Sequence, residues 1–576
     1  MWDVIIVGGG SAGCVLAGRL SEDPAARVLL IEAGRDLKPG QEGSAILDMY
    51  PGRAAFDPAN HWPGLRAIFQ PVGHNNPARP SLRPYEQARI MGGGSSINGQ
   101  VANRGTPDDY DEWEAAGAAG WGWRDVLPHF IQLETDLGRD GPLHGSNGPI
   151  PIHRIERDRW PGFSLGAEQA MADCGFTGID DQNGRFEDGY FPMTLSNDGV
   201  SRVSAAMAYL DAAVRLRPNL RILADRKVLG LALAEGRVVG VDLVGGHGVE
   251  RIEGREVILC AGAIHSPAIL MRAGIGPATL LRPLGIPVAA DLPGVGANLQ
   301  EHPGISLSAF LAPQARLRGT TRRHIHLGLR YSSGIEGGTA SDMYMMAAAK
   351  SAWHPLGERI GSLIAWINKP HSRGRIVLQS ADPRQEPVAE FNHLADPRDA
   401  ERLHAAVRLM ARLMAAPALA RQVRAAGPSS YSGFARALGR QTIRNYALTA
   451  PAALLLDCIP ALREPFFRRF MGGGTTLAAL LADPEALGTY VQDGVFGQWH
   501  PCGTCRMGRW GDRDAVVEPA SGRVHGVAGL RVIDASVMPT APRANLNLPT
   551  IMIAEKFASA IAAAVPGRAY TRRPMP

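Results

Sequence analysis

The chain has 576 residues, 45% hydrophobic and 20% charged. That is ordinary globular usage and excludes a disordered, collagenous or coiled-coil chain. Lysine and arginine number 60 against 55 acids, a net charge of +5, too small and too dispersed for a nucleic-acid partner. Six cysteines in a chain this long do not make a disulfide framework. At roughly 100–200 residues per domain, the length predicts two to four domains or one large composite. No charged lead or cleavage region precedes the apolar run at Val4. The most apolar stretch, Leu448 to Leu462, is broken by Pro451, Asp457 and Pro460, well short of the roughly 18 apolar residues of a spanning helix. The expectation is a cytoplasmic enzyme without a transmembrane segment.

Val4-Ile5-Ile6-Val7 reads as a strand buried on both faces of a parallel sheet. Gly8-Gly9-Gly10-Ser11-Ala12-Gly13 follows, then a helical pattern from Cys14 to Leu20 and a second apolar run from Arg27 to Ile31 that ends in Glu32. Gly8 permits a tight turn, Gly10 lets a pyrophosphate reach the backbone, and Gly13 lets helix and strand pack closely. The helix N-terminus supplies N–H groups and a positive dipole end. Glu32 lies 19 residues after Gly13, placed to accept hydrogen bonds from ribose hydroxyls. The pattern predicts dinucleotide binding without separating NAD from FAD. The competing reading is a glycine-rich turn with a structural glutamate.

Further along, Arg89-Ile90-Met91-Gly92-Gly93-Gly94-Ser95-Ser96-Ile97-Asn98 suits backbone and hydroxyl contacts with a flat or anionic ligand, or else a flexible surface loop. Phe186 to Phe191 reads as a loop over the site. Val239 to Val244 alternates like a half-exposed strand, and Glu256 to Gly262 reads as a buried strand returning to the nucleotide sheet. Ile305–Ala312, Ile325–Tyr331, Met343–Ala348, Leu363–Asn368 and Arg375–Leu378 read as strands of a second domain. Asp396 to Ala415 has helical spacing. Residues 440–481 combine Leu454-Leu455-Leu456, Phe466-Phe467 and Phe470 with Arg463, Arg468 and Arg469, then a glycine run at 472–474 that suggests a hinge. Apolar bulk beside cations suits a dimer contact, a lid or a membrane surface; a locally packed helical insertion is the alternative.

The ordered blocks together resemble the glucose–methanol–choline (GMC) oxidoreductases over essentially the whole chain. The blocks are the N-terminal fingerprint, Arg89 through Gly105, Asp108–Trp113, Gly262–Leu270, Asp291–Leu299, His500 with Gly503–Gly508, and Asp534–Pro539. Leu143-His144-Gly145, Gly148–Ile152, Asp188–Pro192, Arg217–Leu220 and Trp499-His500 resemble the bacterial branch that oxidises hydroxymethylfurfural and aryl alcohols. The resemblance implies an α/β fold (α+β overall): a Rossmann-like FAD-binding domain from 1–155, 195–305 and 490–576, and an antiparallel-sheet substrate domain from 156–194 and 306–489, with a less family-like insertion near 440–481. It implies oxidation of a primary alcohol, aromatic or furanic, to the aldehyde; oxygen or a quinone is the expected acceptor and a monomer or homodimer the expected state.

By the same resemblance His500 is the general base and Asn545 hydrogen-bonds the developing alkoxide. A histidine near its unperturbed pKa of about 6.5 suits that role; a lone histidine is otherwise more often structural. FAD contacts fall to Gly8, Gly10, Ser11, Ala12, Gly13, Glu32, Ala33, Arg89, Gly92, Gly93, Ser95, Asn98, Gly99, Val101, Val228, Ala261, Trp499, Asp534, Ala535, Asn547, Pro549 and Thr550. Relatives that attach FAD covalently use a histidine where this chain has Ile97, so noncovalent FAD is expected. Gln498 departs from the small apolar residue of furfural-type oxidases, which leaves the acceptor open. Cys502-Gly503-Thr504-Cys505 is assigned a structural role, and no metal is expected. Arg543 either rims the substrate funnel or is solvated. A cyanohydrin lyase, a nonenzymatic flavoprotein and a quinone-linked dehydrogenase of aliphatic or polyol alcohols are the competing functions.

Overall fold

In the computed structural model, which describes residues 1–70, 82–245, 248–319, 322–471 and 474–564, the Trp2–Val7 strand lies between two parallel neighbours. Val28–Ile31 flanks it on one side and the second half of Gly248–Leu259 on the other. Leu220–Leu223 and Leu530–Val532 extend the sheet outward. Val4–Val7 and Val28–Ile31 are buried throughout, which is why their sequences run apolar without alternation. The long Gly248–Leu259 strand turns antiparallel partners, Arg237–Gly245 and Val228–Ala234, onto the same seven-stranded sheet.

The Ser11–Leu20 helix packs between this sheet and the Asn547–Ala563 helix. Across that contact Arg19 donates to the fully buried Glu555 at 2.8 Å, and the Tyr209 hydroxyl donates to the same carboxylate at 2.7 Å. An acid with two such partners is tolerable inside a core that would otherwise reject it.

The second seven-stranded sheet is antiparallel. Its path runs Val423–Ser429, Pro303–Leu311, Ile360–Ile367, Met343–Ala348, Ile325–Tyr331 and Gly189–Pro192, with Phe496–Gly497 paired to Pro303–Gly304. Asp396 caps the Pro397–Ala415 helix by accepting from the Arg398 amide, and Leu403, Val407, Met410 and Leu413 face the sheet.

Two expectations fail here. Residues 186–191 are a loop only in their first half: 186–188 are irregular, but Gly189–Pro192 is an edge strand of the second sheet, with Gly189 and Phe191 buried and Tyr190 half-buried. Arg375–Val377 does not join that sheet either. It pairs with Val388–Glu390, which pairs in turn with Arg66–Ile68, and Ile376 packs into the core of the nucleotide-side sheet. Register with a strand three hundred residues away is set by tertiary packing and leaves no local trace.

A buried ionic group ties residues 134–144 to Asp181. Glu134, Asp136 and His144 bring possible metal-ligand atoms within 4.8 Å of one another. The guanidiniums of Arg104 and Arg154 already neutralise those acids, on Glu134 and Asp136 respectively. His144 also meets Asp181 at 2.8 Å, and its three acidic partners hold its pKa up at about 10.

Residues 440–481 form the Ile443–Cys458 helix and a continuation to Met471 bent by 119° from it. Gly472 and Gly473, two of the three glycines of the expected hinge, lie outside the described residues. Among the described residues no single helix is long and apolar enough to cross a membrane.

Candidate active site

The two glycine runs lie back to back. The Gly92 amide donates to the Gly9 carbonyl at 2.6 Å. A Cβ on Gly8 (φ +105°) would sit 2.5 Å from the Cys260 carbonyl oxygen, and one on Gly13 would sit 1.8 Å from that of Gly8. A Cβ on Gly93 would stand 2.8 Å from Gly10 Cα. These glycines are therefore consumed by packing the chain on itself. Gly10 is different: an added Cβ there meets nothing closer than 3.9 Å, and at Gly94, Gly99 and Gly262 it meets nothing at all. Space is held open beside the N-terminus of the Ser11–Leu20 helix, whose first turn has no side-chain cap. Free amides, a dipole end and a bare backbone fit the pyrophosphate of a dinucleotide.

Glu32 ends the second strand, 6% exposed. Its carboxylate accepts the Gly9 and Gly34 amides, each at 2.7 Å. Burial pushes its pKa up to about 7. Ala33 accepts from Arg89 Nε at 3.0 Å. Arg89 lies over the Trp62 ring, as does Lys227, and His265 stacks on Trp62 at 4.2 Å. This aromatic and cationic group brings Arg89 toward Val228, which follows Lys227 at the start of its strand.

A cavity of about 590 Å³ opens next to the glycine turns. Of the expected residues, Ser11, Ser95, Asn98, Gly99, Val101, Trp499, His500, Ala535, Asn545, Asn547 and Thr550 line it, with Ile97 and Gln498. Ser11 Oγ donates to Asn547 Oδ1 at 2.9 Å and so joins the first helix to the last. Asp534 does not face the cavity. Its carboxylate accepts from the Gly262 amide, the Ser266 hydroxyl and the Ser536 amide at 2.6–2.8 Å, and thereby fixes the turn at Ala261-Gly262 and presents Ala535. Ala12, Gly92 and Pro549 are buried behind the lining.

His500 follows Trp499, whose φ of +59° is costly for a bulky residue. The His500 amide donates to Glu301 at 2.8 Å, and the His302 amide donates to the same carboxylate at 2.8 Å. Tyr85 donates its hydroxyl to Glu301 at 2.6 Å, and burial raises the Glu301 pKa to about 7. His500 Nδ1 lies 2.9 Å from His302 Nδ1, and His500 Nε2 lies 3.0 Å from Asn545 Nδ2. An amide N–H can only donate, so Nε2 accepts and the ring proton sits on Nδ1, donated to His302. Burial, then the adjacent His302, holds the His500 pKa well below 6.5. That differs from the unperturbed value expected from sequence: the ring is a neutral acceptor at physiological pH. Asn545 Oδ1 and Gln498 Nε2 are buried without a hydrogen-bond partner.

Glu301 and His302 escaped the sequence reading. They lie two and three residues beyond the Asp291–Leu299 block, and that proximity was the available signal. Arg543 is neither a rim residue nor solvated. It is 2% exposed and paired with Asp109 at 2.6 Å, beside Lys369 and Glu112. This pairing fixes the loop that carries Asn545. Cys502 and Cys505 are buried free thiols; burial pushes Cys502 up to about 12, which suits packing and not thiolate chemistry.

Comparison with known proteins agrees with this arrangement. The chain is 45% identical over 571 residues to 5-(hydroxymethyl)furfural oxidase of Methylovorus sp. (strain MP688), covering 97% of this chain and 98% of that protein. It is 32% identical over 608 residues to an oxygen-dependent choline dehydrogenase of Brucella anthropi, covering 98% and 96%. The structure of pyridoxine 4-oxidase from Mesorbium loti superposes with a TM-score of 0.79 at 29% identity, over 97% of this chain and 99% of that one. A fungal aryl-alcohol oxidase shares the fold at a TM-score of 0.74. The GMC oxidoreductase N- and C-terminal family models match residues 2–304 and 370–554. With both halves matched and the glycine cradle in place, the chain belongs to the GMC oxidoreductases, FAD-dependent enzymes that act on alcohols.

Proposed function

We propose that this enzyme oxidises primary alcohols carrying an aromatic or furanic ring to the aldehyde, with His500 as general base, Asn545 as alkoxide partner and FAD held noncovalently. The observation that carries this reading is the His500–Asn545 pair on a largely apolar cavity. Trp366, Met346, Ile364, Tyr431 and Phe466 form its walls, chemistry that suits a flat ring. A hydroxyl seated between the pair takes the N–H of Asn545 Nδ2 and donates to His500 Nε2, so neither group is left unpaired. As the hydroxyl proton passes to Nε2, the Asn545 amide stabilises the charge that develops on oxygen. The Nδ1 proton of His500 is meanwhile held by His302, which keeps the ring in the accepting tautomer. Bound FAD supplies the acceptor for the hydride that leaves the carbon.

The residues expected to hold FAD are the glycine turns, Glu32, Arg89, Asn98 and the Asn547 helix end. Domain limits at 1–155, 195–305 and 490–576 for the FAD part, and 156–194 and 306–489 for the substrate part, remain our proposal. Ile97 offers no atom that bonds to a flavin, which supports noncovalent attachment; acid precipitation is expected to leave the pellet colourless and the supernatant yellow. A yellow pellet overturns that assignment. Oxygen or a quinone reoxidises the flavin, in a cytoplasmic monomer or homodimer. The test of function is an anaerobic alcohol screen followed by flavin bleaching, then reoxidation by oxygen and by a quinone. Bleaching by benzylic and furanic alcohols is expected, and its absence across both classes refutes the substrate assignment.

A further inference from the structure

The Ile443–Cys458 helix is apolar on the wrong side. Its inward stripe, Thr449, Ala453 and Leu456, is buried, and Ala453 and Leu456 pack with Phe310, Leu356 and Ile360. A surface helix ordinarily turns polar residues outward. Here Ile443, Tyr446, Leu448, Leu454 and Leu455 point outward, between 49% and 91% exposed. Beyond the 119° bend, Ile459, Leu462 and Phe470 continue the face, each at least 40% exposed. Bare side chains scattered singly are normal on a soluble surface, but a contiguous series on one segment marks an interface.

Charge indicates what covers it. Residues 430–482 hold six arginines against two acids, Asp457 and Glu464, and so account for four of the chain's net +5. Arg440, Arg444, Arg468 and Arg469 are exposed. Beside the helix lies a pocket of about 600 Å³ lined by Arg53, Arg316, Arg318, Arg322, Arg359 and Lys350. Asp48 pairs with Arg53 and Arg322, Asp457 with Arg316 and Arg359, and Glu358, which also lines the pocket, with Lys350 at 3.1 Å; six cations against three acids leave the pocket cationic on balance. Trp353 joins pocket to helix: it lines the former, stacks on Tyr446 at 6.4 Å and donates to the Gly439 carbonyl at 2.9 Å. A twofold contact would set this cationic rim against its own copy. An anionic bilayer complements both the apolar face and the rim.

We propose that this face docks on the surface of an anionic lipid bilayer, with the bent helix pair lying in the interface and the arginine pocket taking a phosphate-bearing headgroup. Phe434 and Phe470, about half exposed, belong to the same segment and also line the active-site cavity with Phe466 and Met471. Docking therefore sets the cavity mouth on the lipid, where a bilayer-dissolved alcohol or acceptor enters without crossing water.

The experiment is flotation of the full-length, FAD-loaded protein with vesicles of phosphatidylcholine alone or mixed with phosphatidylglycerol, alongside sedimentation velocity without lipid. The protein is expected to float with the mixed vesicles, poorly with phosphatidylcholine, and to come off in high salt. Leu454→Glu/Leu455→Glu is expected to lower the bound fraction by at least about tenfold, with turnover of a water-soluble aromatic alcohol unchanged. Arg318→Glu should weaken binding to the mixed vesicles alone. Failure to float with either vesicle overturns the proposal. So does a lipid-free dimer that the double variant dissociates while vesicles bind neither protein, because the face is then a self-association surface. If the double variant does not fold, Tyr446→Trp replaces it: its emission must shift to the blue on adding mixed vesicles, and unchanged emission overturns the docking.

Discussion

Asn545 Nδ2 lies 3.0 Å from His500 Nε2, while the other nitrogen of the same ring lies 2.9 Å from His302 Nδ1. One imidazole is thus held at both ends, by a donor on the cavity side and an acceptor behind. The arrangement leaves a single tautomer with its lone pair toward the substrate space.

Removing that ring is expected to separate binding from chemistry. His500→Ala should fold and keep its yellow colour but lose alcohol turnover by ~10²-fold or more. Anaerobic bleaching rates of the purified variant measure it. A rate near that of the parent protein would return His500 to a structural role.

The pH dependence should trace to the acid beneath the base. His500 is neutral well below pH 6.5, so lowering the pH through neutrality does not consume its lone pair. Glu301, raised to about 7 by burial, does titrate there, and its protonated form gives up one acceptor for the His500 and His302 amides. Turnover is expected to fall as pH drops through about 7, and Glu301→Gln should flatten that limb. If the limb persists unchanged in the variant, the proton belongs to His500.

Two glycines three residues apart should fail in different ways. Gly10→Val places its side chain in the open cradle, so the protein should be soluble and melt cooperatively but bind no flavin. Gly13→Val drives a side chain into the Gly8 carbonyl, 1.8 Å from where its Cβ must sit, and should not fold. Soluble, flavin-free protein from both variants, or stoichiometric flavin in Gly10→Val, contradicts the division of labour.

His144 ties stability to alkaline pH. Its folded pKa of about 10 lies above the ordinary 6.5, so its contribution is complete below about 6.5 and declines as pH rises toward 10. His144→Gln should lower the melting temperature clearly at pH 6, and the gap should close by about pH 10. A gap independent of pH would mean that the variant lost packing and not charge.

Local chemistry made much of this readable. Val4 to Glu32 shows strand, turn, helix, strand and acid because each needs a particular residue type at a particular spacing. The edge strand at Gly189–Pro192 and the sheet that Arg375–Val377 joins did not show, since they are decided by distant chain: Ile325–Tyr331 for the first and, through Val388–Glu390, Arg66–Ile68 for the second. Arg543 looked exposable because its two neutralising partners, Asp109 and Glu112, come from more than 400 residues away in the chain. Glu301 and His302 meet His500 only after 198 or more residues of intervening chain have folded.

The hydrogen bond from Ser11 to Asn547 spans 536 residues, and the two ends of the glycine-turn wall are therefore made at very different times. A ribosome adding about 5–20 residues per second emits the glycine turn roughly half a minute to two minutes before the helix that closes it. During that interval the Val4–Val7 run also waits for its Gly248–Leu259 neighbour. Flavin capture is therefore expected to follow translation, and a chain halted before Asn547 is expected to carry the glycine turns without the helix that packs against them.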